Sequence, residues 1–175
     1  MPTAILRPTS TLSQTAWSVS PIDTILGDQD NSTTADQSAE TCNASLKLSD
    51  LDASLSDATI NSMTITLRAQ AGRTGANTCV MAYLESESVS FGAETESFTS
   101  TVSEETTSTR TTQRNGSSPL TFAYINAMGV IITPGVSGIT VAQLFVTVDY
   151  TAAIVPPLKI TEGLIKLTNG LIKIT

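Results

Sequence analysis

The chain has 175 residues, 40% of them hydrophobic and 14% charged, which fits one globular domain with room for a short appendage. It holds no His and two Cys, so a Ser-His or Cys-His nucleophilic pair, the usual imidazole general base and the commonest zinc ligand sets are excluded. A net charge of −7 argues against nucleic-acid binding, because phosphate neutralisation needs clustered Lys and Arg.

Thr and Ser number 29 and 21, so hydroxyls supply the surface polarity that Lys, Glu and Arg supply in most soluble proteins. Thr favours strands, and Ser favours turns and edges. Charge is split along the chain: residues 1–155 carry a net −9, and residues 156–175, with three Lys and one Glu, a net +2.

The start, Met1 to Pro8, lacks a basic region followed by an apolar run of about 7 to 15 residues, so no signal peptide is expected. No stretch approaches roughly 18 apolar residues, which argues against a membrane span. Strands are expected at Ala4–Arg7 and Ala16–Val19, then a polar loop at Gly27–Glu40 and a strand at Cys42–Leu48. The clearest strand is Asn61–Ala69, where Met63, Ile65, Leu67 and Ala69 alternate with polar residues, the period of a sheet with one wet face. Gln70–Asn77, with Gly72 and Gly75, reads as a hairpin loop into Thr78–Ser86, a strand apolar on both faces and therefore central. Shorter strands are expected at Ser88–Phe91, Glu96–Val102 and Val130–Thr133, and Ser103–Ser117 is a polar loop or in part an exposed edge. One short helix is expected over residues 119–128, with Ser118 as cap, Pro119 in the first turn, a stripe of Leu120, Ala123, Tyr124 and Ala127, and Gly129 closing it. Val141–Tyr150 is a strong strand with Leu144, Val146, Val148 and Tyr150 on one face. Together these define an all-β fold, an antiparallel two-sheet sandwich of jelly-roll type spanning residues 1–155.

Pro156-Pro157 stiffens the chain and cannot donate to a ladder, which marks residues 156–175 as a separate segment. The segment is a repeat of period seven whose strands Leu158–Thr161, Leu164–Thr168 and Leu171–Thr175 are separated by Glu162-Gly163 and Asn169-Gly170, two hairpin turn signals. In the three-stranded meander this predicts, Ile160 faces Ile165, Lys159 faces Lys166, Leu167 faces Ile172 and Lys166 faces Lys173. One face collects Leu158, Ile160, Ile165, Leu167, Ile172 and Ile174, and the other collects Lys159, Lys166 and Lys173. So small a sheet cannot hold a core alone. It can fold back on the sandwich, dock on another protein, or close with two further copies into a triangular prism. The prism is favoured, because a regular β-repeat satisfies itself by symmetric closure. The Lys face is then left for contacts with acids.

Other chemistry is thin. Asp28-Gln-Asp30-Asn31-Ser32 resembles a fragment of a calcium loop, but Thr33 and Ala39 stand where the loop needs Gly and Glu, and a solvated loop is the better reading. Glu85 with Glu87, Glu94 with Glu96, and Glu104 with Glu105 offer carboxylate pairs without the aromatic cleft of a glycosidase. Trp17 and Tyr124 could form a sugar platform but suit a sheet core better. Three glycosylation sequons, at Asn31, Asn43 and Asn115, carry no weight without a signal peptide. Cys42 and Cys79 read as two buried hydrophobes, not a disulfide. Neither a cofactor nor a metal is implied.

Leu6-Arg-Pro-Thr-Ser-Thr-Leu-Ser-Gln-Thr-Ala-Trp17-Ser-Val, the Gly27–Thr34 stretch, Ile60–Ala69 and Gln143–Tyr150 resemble small β-sandwich virion proteins of tailed bacteriophages, over residues 4–150. The resemblance is one of pattern and includes no catalytic or binding motif. It implies a non-enzymatic structural protein, made in the host cytoplasm and resident in the virion. A capsid decoration or cement protein, trimeric and bound to the major capsid protein, comes first. A tail-fibre or baseplate subunit that recognises a host surface is the alternative, and a carbohydrate-binding module the alternative of another class.

Overall fold

A computed structural model describes residues 2–30, 32–39, 42–72, 77–135, 138–153, 165–168 and 171–174. Twelve strands and two short helices are assigned among them: β1 Thr3–Leu6, β2 Pro8–Thr15, α1 Asp23–Leu26, β3 Ala35–Asp36, β4 Asn43–Leu48, β5 Thr59–Ala71, β6 Asn77–Glu85, β7 Val89–Phe98, β8 Ser103–Thr106, α2 Phe122–Asn126, β9 Gly129–Pro134, β10 Ile139–Thr151, β11 Ile165–Thr168 and β12 Leu171–Ile174. Two antiparallel sheets face each other. The first has the order β1-β10-β5-β8, with β3 also on β10, and the second has the order β2-β4-β9-β6-β7.

Period-two patterning places the core between them. On β5, Met63, Ile65, Leu67 and Ala69 all point inward and are buried, as alternation requires. Across from them stand Leu46 on β4, Val130 and Ile132 on β9, and Cys79, Met81 and Tyr83 on β6. Strand β6 lies between β9 and β7, the central position its two apolar faces predict. Strand β10 contributes Leu144, Val146 and Val148, but also Ile139 and Val141, which a strict alternation would send to opposite faces. A register shift between Val141 and Gln143 reverses the phase there, and a bulge of this kind lets one strand present odd and even residues to the same core.

The structure corrects several expectations. Residues 70–77 do not join a hairpin, since β5 and β6 belong to different sheets. Ala16–Val19 is no strand: the strand is β2, ending at Thr15, and Trp17 makes only an isolated bridge to Gln37. The two pieces expected at Ser88–Phe91 and Glu96–Val102 are one ten-residue strand, β7, whose middle carries a register shift opposite Met81–Tyr83.

The helix over 119–128 shrinks to Phe122–Asn126, five residues. Thr121, not Ser118, caps it by accepting from the Tyr124 N–H at 3.1 Å. Ser118 and Pro119 are instead tied to the preceding turn, where their carbonyls accept from the Gln113 backbone N–H at 2.9 Å and its side-chain amide at 2.8 Å. Ile125, with Leu120 and Met128 beside the helix, is buried, whereas Ala123 and Ala127 are exposed. Gly129 does not close the helix but opens β9, and a Cβ there would run into the Leu46 carbonyl oxygen of β4. Its glycine serves a close approach of two strands.

Candidate functional site

Of the expected C-terminal meander, the structure describes the backbone of one strand pair, β11 and β12. They pair antiparallel in the register Ile165↔Ile174, Lys166↔Lys173, Leu167↔Ile172 and Thr168↔Leu171, so the expected partnerships Leu167–Ile172 and Lys166–Lys173 are both present. Leu158, Lys159 and Ile160, and with them the strand expected at Leu158–Thr161, lie outside the described residues. Ile165, Leu167, Ile172 and Ile174 fall on two cross-strand rungs, and Lys166 with Lys173 on the rung between. In a pleated pair, neighbouring rungs belong to opposite faces, so the aliphatic and the Lys positions are segregated as the repeat requires.

Several carboxylates of the body have structural roles. Glu85 meets the Arg114 guanidinium at 2.6 Å, Glu87 meets Lys47 at 3.0 Å and Glu104 meets Arg68 at 3.2 Å. Asp28 accepts from the Asp30 N–H at 3.0 Å and from the Thr33 hydroxyl at 2.6 Å, and Asp30 accepts from the Ser32 N–H at 2.9 Å. These bonds close the loop on itself, and the Ser32 N–H holds the Asp30 carboxyl below its ordinary range. Among the described residues no group of three His, Cys, Asp or Glu could hold a metal ion.

Trp17 and Tyr124 do not converge. The Trp17 indole donates to the Asn43 carbonyl at 2.8 Å, at the start of β4. Tyr124 accepts from the Arg114 N–H at 3.0 Å, and Arg114 in turn holds Glu85 at the end of β6. Cys42 and Cys79 are free and buried, and burial pushes both thiols up to about 12. Because β9 runs between β4 and β6, Cys79 and the start of β4 are separated by two strand spacings, about 9.5 Å. That exceeds the reach of a disulfide, about 7 Å between Cα atoms.

One arrangement escapes the sequence reading. On the side where β7 ends one sheet and β8 the other, Arg110 bridges them. Its backbone exchanges hydrogen bonds with Met63 of the first sheet at 2.9 and 3.0 Å. Its guanidinium lies over the Phe91 ring of β7, 5.2 Å from the centroid, and Phe91 stacks on Tyr83 at 5.5 Å. Gly92, at φ +61°, leaves the space this guanidinium fills. Beside this clamp, Glu94 accepts from the Ser108 N–H at 2.7 Å. Glu96 is pushed above the usual carboxylate range by burial and by the charges of Glu105 and Glu94. Alternation on β7 could have paired Glu94 with Glu96, but only the meeting of two sheet edges brings Glu105 to them.

No family model matches this chain, and no curated protein matches it. Among the described residues no helix is long and apolar enough to cross a membrane.

Proposed function

We propose that the protein is a non-enzymatic structural component of a tailed-phage virion, a decoration or cement protein whose sandwich lies on the head shell and whose residues 156–175 join three copies. The observation that carries this reading is the strand pairing. With β2 and β3 set aside, the remaining eight body strands pair first with last and so inward: β1·β10, β4·β9, β5·β8 and β6·β7. This nested pairing, wrapped into two sheets, supports reading the sandwich as a jelly roll, an architecture widely used by viral capsid proteins. A fold is not a function, so the reading also leans on the residues. Glu85, Glu87 and Glu104 hold cations of the sandwich itself, and the hydroxyl-rich sequence suits contact with a neighbouring shell.

The C-terminal repeat supplies the reason for assembly. Burying an aliphatic side chain is worth roughly 1.5 to 3 kcal/mol, and ordering each backbone residue costs about 1 to 2 kcal/mol. A lone hairpin loses that comparison, whereas three around an axis share one core. Size-exclusion chromatography with light scattering tests this step. The wild type should be a trimer, and Ile165→Asp and a chain ending at Val155 should be monomers. A shortened chain that stays trimeric moves the contact to the sandwich, and a monomeric wild type removes the self-assembly reading altogether.

A further inference from the structure

We propose that the outer edge of β7 is the docking edge for β12 of a second copy, so that the C-terminal hairpin of one subunit extends a sheet of its neighbour. The inference rests on reading residues 156–175 as an assembly segment and adds where that segment lands. One sheet ends at β1 and β8 and the other at β2 and β7. Strands β1 and β8 have four residues each, and β2 begins at Pro8 and carries two register irregularities. Strand β7 differs. Its register against β6 is continuous from Glu94 to Phe98, and no described strand pairs with its other side.

Such an edge invites a partner unless its charges forbid one. Glu94 and Glu96 alternate along it with exposed Thr95 and Ser97. A second β7 would set Glu against Glu, and like charges directly opposite are destabilising. A strand that alternates aliphatic residues with Lys has the opposite effect, and β12, Leu-Ile-Lys-Ile, is one. With antiparallel pairing, as in every strand pair of the body, Lys173 comes opposite Glu94 or Glu96.

Charge matching supports the same partner. The body's described cations are engaged: Lys47, Arg68 and Arg114 with carboxylates, Arg7 and Arg110 over Phe145 and Phe91. None of the three salt bridges found among the described residues includes Glu94, Glu96 or Glu105. On the hairpin, Lys166 is the direct cross-strand partner of Lys173. Each surface thus concentrates one sign of charge, and bringing the two together offsets both repulsions. The donor is taken to be another copy because residues 156–175 are read as the segment that joins copies, and mixing two variant chains separates a neighbour's hairpin from the chain's own.

Charge reversal in separate chains tests this. One variant carries Glu96→Lys and Glu105→Lys, the other Lys166→Glu and Lys173→Glu. Each alone should self-associate about tenfold more weakly or worse, and a one-to-one mixture should recover most of the loss, as complementary charge pairs do at interfaces. Unchanged association in either variant overturns the proposal, and so does recovery seen only when all four substitutions share one chain. Should the variants fold poorly, hydrogen exchange on the wild type decides. The amides of Glu94–Phe98 should slow when concentration drives assembly. Assembly that leaves them unchanged overturns the β7 edge while sparing the oligomer, and a chain that never assembles overturns both.

Discussion

The Arg110 clamp offers a quantitative test of how the two sheets are held at their open side. Gly92→Ala should act in two ways. The residue sits at φ +61°, a conformation that costs a side chain about 1 to 2 kcal/mol. Its new methyl would also occupy the space of the Arg110 guanidinium, displacing a cation over an aromatic ring worth about 0.5 to 2 kcal/mol. In the wild-type background the total should be about 1.5 to 4 kcal/mol. Arg110→Ala removes the ring contact but also a buried Nε–H that has no hydrogen-bond partner, so its cost should be near 1 kcal/mol. In the double variant the methyl has nothing to displace, and only the backbone term remains. The two substitutions should therefore be non-additive by about 0.5 to 1.5 kcal/mol. Urea unfolding followed through Trp17, the single Trp of the chain, measures all four corners of the cycle, and about 2 to 4 °C of Tm should accompany each kcal/mol in a chain of this size. Strict additivity would refute the account, because it would mean that Gly92 is required by its backbone alone.

Further predictions follow from single sites. Gly129→Val should cost several kcal/mol, on the scale of severe overpacking, because its Cβ meets the Leu46 carbonyl; a shift in urea midpoint below that of an ordinary surface substitution would contradict the close approach of β4 and β9. Glu96 has its proton affinity raised in the folded state by burial and by Glu105 and Glu94, so its contribution favours folding at low pH and is lost as pH rises through the folded value. Relative to wild type, Glu96→Gln should therefore gain stability as pH rises through the carboxylate range, and a difference independent of pH would contradict this. Cys42 and Cys79 should resist a thiol reagent under native conditions and react together on unfolding, which rapid labelling of the folded protein would refute.

Much of the sandwich was legible because burial on one face writes a period of two into β5, and burial on both faces writes the apolar run of β6. Illegible parts have particular causes. Strand β10 shows a clean alternation only after its bulge, and the bulge itself leaves no residue signature at Val141–Gln143. Pro119 and Gly129 carry helix punctuation, yet the side chain of Gln113 recruits the first and a passing carbonyl dictates the second; both are tertiary events. Gly72 and Gly75 suggest a hairpin, but which sheet the next strand joins depends on partners far away in sequence. The register of β11 against β12 was legible for the opposite reason, since repeat, turn signal and alternation agree locally. Arg110 and Glu105 gained their roles from two sheet edges that meet only in the fold.

The central claim is that this chain decorates a virion head, and electron microscopy of intact particles at a resolution that traces the chain tests it most directly. The sandwich should appear on the outer surface of the capsid shell, in contact with the major capsid protein, with three C-terminal segments gathered on one axis. Density for the chain at the tail tip would contradict the decoration reading in favour of host recognition, and its absence from purified particles would contradict a virion role altogether.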